Sequence, residues 1–144
     1  MGGTLPKSIQ TVSLTVENNT EEPSIEVQAM KALRAEVQQD GRLALRSEDE
    51  ADTILKVSLT GYSLQALAYD RDHGQLAREY RVTLSASAVL SDAETGDVLR
   101  EIPNVLGESE FPYAADLTTG KLAALPSAAD DLARKVISMT IAAW

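Results

Sequence analysis

A chain of 144 residues is long enough to bury a core as a single domain without staples, and a hydrophobic content of 44% marks it as globular rather than disordered. Its formal net charge of −9 argues against a nucleic-acid partner, because phosphate binding needs a dense cationic surface. The absence of cysteine removes any disulfide framework or thiolate zinc site, and an aromatic content of 4% leaves the core to Leu, Val, Ile and Ala.

No apolar run approaches the roughly 20 residues that a membrane helix needs, and no signal-peptide pattern is readable. Met1-Gly2-Gly3 reads as a start placed after a removed segment, which leaves room for a targeting segment ahead of it.

The first predicted strand covers residues 9–16, with Val12, Leu14 and Val16 on one face. Asn18-Asn19-Thr20 follows as a polar loop, and Pro23 stands where the first turn of a helix tolerates proline. The spacing predicts a helix from there to about Gln39, with Ile25, Ala29, Met30, Leu33 and Val37 on its buried stripe. Gly41 ends it as a natural left-handed cap. A short strand over 43–46 and an acidic connection, Ser47 to Asp52, lead into a strand that starts near Thr53 and buries Leu55, Val57 and Leu59. That strand continues past Gly61 to Tyr69 with apolar side chains on both faces: Tyr62, Leu64, Ala66 and Ala68 on one, Leu67 and Tyr69 on the other. Two readings stand for this arm, a core strand covered on both sides and a partner interface.

Asp70 to Gln75 is a predicted hairpin tip. From Tyr80 to Leu90 every even position is apolar, while Arg81, Thr83, Ser85 and Ser87 stand between them, the period of a half-buried strand. Ser91 to Asp97 is a turn in which Gly96 supplies positive φ. The strand from Val98 toward Phe111 contains Pro103 and Gly107, and proline lacks a ladder donor, so it is an edge or bulged strand. A loop is expected from Pro112 to about Pro126. Ser127 to Asp130 then has the Ser-x-x-Asp form of a helix start. The last helix carries Leu125, Ala129, Leu132, Val136, Met139 and Ala143 on one stripe, with Asp131, Arg134, Lys135 and Ser138 outside. The order β-α-β-β-β-β-α predicts a single α+β domain over 1–144. Its form is a two-layer sandwich with two helices on one face of a four- to five-stranded, mostly antiparallel sheet. The other face is Thr/Ser/Arg-rich.

No catalytic constellation is readable. The single histidine, His73, lies in the hairpin tip, and no nucleophile elbow surrounds any serine. His73 with Asp70 and Asp72 has metal-binding residue types, but surface turns collect the same types, and the acidic loop Asp92 to Asp97 lacks calcium-loop spacing. No glycine-rich phosphate cradle follows a strand. The paired carboxylates (Glu21-Glu22, Glu48-Asp49-Glu50, Asp130-Asp131) fall in loops or on a helix exterior, where nothing raises a pKa for acid catalysis. The sequence therefore predicts a protein that is not an enzyme, with no metal and no cofactor.

Taken in order, the segments resemble the LptE family, outer-membrane lipoproteins that partner the lipopolysaccharide-export barrel LptD. The resemblance is carried by Leu5-Pro6 and the strand IQTVSLTV, by Asn18-Asn19-Thr20, and by the helix AMKALRAEV. It continues through GRLAL, ADTILKVSLTGYS, EYRVTLSASAVLSDAETGDVL and the closing DLARKVISMTIAAW, nearly the whole chain. It implies a lipid-anchored domain on the periplasmic face of the outer membrane, seated in an LptD-type barrel as a plug and assembly factor and engaging lipopolysaccharide. The family's lipidated cysteine would precede Gly2, so contact with the membrane runs only through an anchor absent from this chain. By the same resemblance the ligand-contacting cations are Arg71 and Lys121, with Arg78 beside the hairpin. The expected barrel contacts are Tyr62, Leu64, Leu67 and Tyr69 of the arm with Arg81 and Thr83 of the open face.

Charge distribution is compatible with that placement. Residues 53–83 hold four cations (Lys56, Arg71, Arg78, Arg81) against three acids (Asp70, Asp72, Glu79), net +1, which leaves −10 for the remainder. The alternative reading is a periplasmic lipoprotein regulator of a cell-wall synthase, whose domains share the strand-helix-strand opening. A hydrolase using His73 is the third.

Overall fold

The alternation of residues 80–90 is realised in the middle of a long strand. Val82, Leu84, Ala86, Ala88 and Leu90 are buried, and the odd positions between them are half-exposed. The computed structural model describes residues 9–70, 76–112 and 117–142, and the side chains of 9–67, 79–112 and 123–142. In chain order the elements are β1 (Thr11–Asn18), α1 (Ile25–Asp40), β2 (Ala44–Leu45), β3 (Thr53–Asp70), β4 (Leu76–Asp92), β5 (Val98–Pro112) and α2 (Leu117–Ile141).

The strands form one sheet in the order β2-β1-β3-β4-β5. Its long ladders, β3–β4 and β4–β5, are antiparallel as expected, while β1 runs parallel to both β2 and β3. The sheet is therefore mixed. Its parallel part arises because α1 carries the chain back to the end where β1 began, as a crossover helix does. Asp52 fastens that junction: Oδ2 accepts from the backbone N–H groups of Gln10 (3.0 Å) and Thr11 (3.1 Å) and from Thr11 Oγ1 (3.0 Å). The Gln10 bond, then Thr11, holds the Asp52 carboxyl below its ordinary range.

Both helices lie on the side of the even β4 residues and touch each other, so the other face of the sheet is left uncovered among the described residues. Leu33 and Val37 of α1 and Leu132, Val136 and Ile141 of α2 meet Leu55, Val57, Leu59, Leu84 and Leu90 in one core. α2 approaches β5 so closely that one side chain has to be missing. A Cβ on Gly107 would stand 2.5 Å from both Leu132 Cβ and the Ala128 carbonyl oxygen. Gly107 thus marks a helix crossing as well as an edge strand.

Four local expectations are corrected. α1 begins at Ile25 behind Ser24, which has φ 66°, so Pro23 stands ahead of the helix and not in its first turn. Its buried stripe includes Ala32, with Met30 only half-buried. α2 begins at Leu117 rather than at Ser127, because the good helix formers Lys121 to Leu125 extend it backward and Pro126 sits on its exposed side. Ser127 is consequently mid-helix and exposed, not a cap. The buried face of α2 is also wider than the expected stripe. It packs on both sheet and α1, burying Ala128, Ala129, Leu132, Ala133, Val136 and Ile137 and turning Met139 outward at 41% exposure. Ala143 lies outside the described residues.

Candidate partner surface

β1 stops pairing at Asn18, opposite Leu59, yet β3 runs eleven residues further to Asp70. Over that distance β3 pairs only with β4 among the described residues, and β4 in turn pairs with β5 as far as Glu79 opposite Pro112. An arm, three-stranded as far as Ala68 and two-stranded from there to Asp70, therefore projects beyond the body by roughly 35 Å, at about 3.3 Å per residue. The register shifts between Leu59 and Gly61, where Thr60 is the extra residue, and again between Ala66 and Ala68. Such bulges bend and twist a strand where it leaves the body.

The arm's two faces differ. Tyr62 and Leu64 point to the helix side and pack against the core, with Val82 beside them and Tyr80 stacked on Phe111 at 5.5 Å between ring centroids and 17° between planes. Ser63 and Gln65 occupy the opposite side, across from Thr83 and Arg81, and both are exposed. The apolar pattern on both faces that the sequence suggested is thus a product of the second bulge. Apolar residues keep to the helix side up to Ala66, and Leu67 falls out of alternation half-buried.

The open face of the body is mostly polar: Thr15 and Glu17 on β1, Lys56 and Ser58 on β3, Thr83, Ser85 and Ser87 on β4, Glu108 and Glu110 on β5, with Ile54, Val89 and the exposed Leu106 as apolar members. Its charges are paired. Lys56 Nζ lies 3.5 Å from Glu17, Arg81 donates to Glu110 Oε1 at 2.8 Å, and Arg81 Nε is 3.3 Å from Glu108. The Glu110 bond, with both neighbouring carboxylate charges, drives the guanidinium's pKa further up. A cleft of about 580 Å³ opens where arm meets body, between the turn Asn19 to Glu22 and Thr60, Gly61 and Tyr62. Asn18 shapes that turn, accepting from Thr20 N (3.0 Å) and donating to Glu22 O and Glu26 Oε2 (both 2.9 Å).

The six residues expected at a partner interface do not share one surface. Tyr62 and Leu64 face the helix side, Arg81 and Thr83 the open side, and Leu67 stands at the bulge. Tyr69 pairs with Ala77 within the arm, its side chain outside the described set. Of the expected ligand cations, Arg71 lies outside the described residues; Arg78 is in β4 and Lys121 in α2, with side chains outside them. His73 lies outside them too. Among the described residues no cluster of three or more metal-ligating side chains exists.

Sequence reasoning missed what closes the other edge of the sheet. Asp131 Oδ2 accepts from the Glu108 backbone N–H at 3.0 Å and from Lys135 Nζ at 3.0 Å, while Lys135 also donates to the Leu106 carbonyl at 2.8 Å. Partial burial pushes the Asp131 carboxyl up, but the Glu108 N–H and then Lys135 and Arg134 outweigh it and hold the group below its ordinary value of 3.8. The i,i+4 spacing of Asp131 and Lys135 was the visible signal, read only as a helix exterior.

Residues 9–140 match the family model LptE, Lipopolysaccharide-assembly. The chain belongs to the LptE family. LptE proteins are lipopolysaccharide-assembly lipoproteins of the outer membrane, a non-enzymatic family. Solved structures share the fold at low identity. A lipoprotein from Caulobacter crescentus is 17% identical over 90% of this chain and 84% of its own, with a TM-score of 0.60. The PelC dodecamer protein of Paraburkholderia phytofirmans is 16% identical over 99% and 94%, TM-score 0.61. A minor lipoprotein of Acinetobacter baumannii is 15% identical over 91% and 90%, TM-score 0.58. No curated protein matches the chain. No described helix is long and apolar enough to cross a membrane.

Proposed function

We propose that this LptE domain is a non-enzymatic subunit of the outer-membrane lipopolysaccharide assembly machinery. It is seated by its arm and open sheet face against an LptD-type barrel, assists that barrel's assembly and engages lipopolysaccharide. The observation that carries this reading is the division of the sheet: helices cover one side, and a Ser/Thr-rich face and a projecting arm are left for a partner. A mostly polar face suits the polar lumen of an outer-membrane barrel. Among the described residues the carboxylates that titrate away from their ordinary range, Asp40, Asp52 and Asp131, all move down and hold structural hydrogen bonds, which suits an adaptor better than an acid catalyst. Family membership favours the barrel over a cell-wall synthase as partner.

The deciding experiment is co-expression of the lipidated protein with LptD of its own genome. Recovery of a complex from the outer membrane is expected, and a barrel that never carries this chain overturns the reading. For lipopolysaccharide, charge reversal at Arg71, Arg78 and Lys121 is expected to weaken binding. Unchanged binding removes those residues from the ligand site.

A further inference from the structure

β2 is two residues long and pairs only with Thr11 and Val12 of β1, whereas β1 runs on to Asn18. Along β1 the even residues turn their backbone groups toward β2: the Gln10 and Val12 carbonyls accept from the Ala44 and Arg46 N–H groups, both at 3.0 Å. The odd residues turn toward β3, and the Asn19 N–H continues that series by donating to the Leu59 carbonyl at 2.9 Å. The next outward groups, the N–H and C=O of Leu14 and of Val16, therefore meet no strand among the described residues.

The lane that a strand would take to reach them is closed at one end. Arg46 occupies the Val12 carbonyl, and at Ser47 the chain leaves in a turn, the Ser47 carbonyl accepting from the N–H groups of Glu50 and Ala51 at 3.0 Å each. Where β2 leaves off, a cleft of about 350 Å³ opens among Ser13, Leu14, Leu45, Ser47 and two arginines, Arg34 of α1 and Arg46. The ion pairs among the described residues engage Arg42, Lys56, Arg81, Arg134 and Lys135, and neither cleft arginine. Arg46 donates to the Leu45 carbonyl at 2.7 Å. The acids that follow it, Glu48 and Asp49, line a separate cleft with Ile54 and Glu94. In a chain of net charge −9, this blind end collects cations.

We propose that the edge of β1 binds the extended C-terminal tail of another protein, running antiparallel to β1 with its terminal carboxylate in the Arg34–Arg46 cleft. Direction follows from the blind end. A strand entering the lane has to stop there, so it presents a chain terminus. An antiparallel strand presents its carboxylate and a parallel one its ammonium group, and two guanidiniums select the carboxylate. Register follows from the free groups. With the last residue opposite Leu14, the Leu14 N–H donates to the terminal carboxylate, and the last residue's N–H donates to the Leu14 carbonyl. The residue two before it makes the same pair of bonds with Val16. All four bonds use groups that β2 leaves unpaired, and none reaches Val12. Directly opposed residues share a face, so these two tail residues lie on the helix side with the half-buried Leu14, Leu45 and Val16, which favours apolar side chains. The residue between them lies opposite the exposed Thr15. Three residues fill the lane, and the tail departs before the turn Asn19 to Glu22. The site uses neither the arm nor the cations assigned to lipopolysaccharide, so it stands or falls separately from the barrel reading.

The test is fluorescence anisotropy of the 144-residue chain with a labelled peptide ending Thr-Val-Thr-Val. With a free carboxylate the peptide is expected to bind, and its C-terminal amide roughly tenfold or more weakly. Arg34→Gln/Arg46→Gln, at two exposed positions, should lose the same factor with unchanged thermal unfolding and no longer tell carboxylate from amide. Amide hydrogen exchange reads the register: the peptide should slow exchange at Leu14 and Val16 and leave Thr15, which pairs toward β3, unchanged. No binding of the free-carboxylate peptide, equal binding of the amide, a double variant that binds like wild type, or protection that falls on Gly61 to Ala66 in place of Leu14 and Val16 each overturns the proposal.

Discussion

The molecule has two long strand edges, and it finishes them differently. β5 is the outer strand of the body, and α2 closes it: Lys135 takes the Leu106 carbonyl, Asp131 takes the Glu108 N–H, and Arg100 Nε reaches back to the Met139 carbonyl at 2.9 Å. β5 also carries two register shifts, one around Pro103, and the glutamates 101, 108 and 110. The distal part of β3 has neither charge nor proline, and no helix side chain is described against its outer side over Ser63 to Ala66. Edge protection therefore costs this chain little where a helix already lies near. It is withheld where the helix layer ends. Among the described residues no strand pairs with that edge, although the same sequence shows the means to close one.

The contrast can be broken most severely at Gly107. Gly107→Ala would drive a methyl into the backbone of α2, and a loss of about 3 kcal/mol of stability is expected in chemical denaturation, with α2 loosened from β5. A variant that unfolds like wild type would mean that the helix does not bear on that strand.

Removing the closure itself comes next. Asp131→Ala leaves the Glu108 N–H without its acceptor and should cost about 1–2 kcal/mol. It should also make β5 exchange its amide protons faster, while amides of the arm keep their rates.

The same carboxyl makes the closure acid-sensitive. Its folded pKa lies below 3.8, so the unfolded chain takes up a proton first as pH falls. Its contribution is whole above about pH 4 and is lost as pH drops through the folded value. The stability gap between wild type and Asp131→Asn should stay level from pH 7 to 5 and narrow toward pH 2. A gap that widens in acid would reverse the assigned sign.

The smallest effect sharpens the comparison from the other side. Gln65→Lys adds to the arm the kind of charge that β5 already carries. It should change stability by no more than about 0.5 kcal/mol, because the side chain is exposed. A larger loss would show that Gln65 supports the arm.

Much of the fold was legible because alternation is a strong signal where one face is sealed. The period of β4, the Gly41 and Gly96 turns at φ 80° and 78°, and the placement of β5 at an edge all follow from residue type and spacing. What was illegible depended on long-range contact. Nothing local says that Pro126 rides on the outside of a continuing helix, or that Ser127 is not its start. The arm misled for a similar reason. Its apparent two-sidedness comes from a bulge, and a bulge shifts the alternation without leaving a residue type that announces it. Charge pairing across the sheet was not legible either. Arg81 looked like an available cation until the structure placed Glu108 and Glu110, 27 and 29 residues onward, against it.

The Asp52 clasp carries a mechanical implication. It fixes the entrance of β1 at one extremity of the sheet, and the arm leaves from the opposite extremity along β3, which lies parallel to β1 over Val12 to Asn18. Tension applied between a tether ahead of β1 and a grip on the arm would act along both strands at once. All the backbone bonds joining them would then be loaded together in shear rather than peeled one by one. A domain so connected can be pulled lengthwise without unzipping.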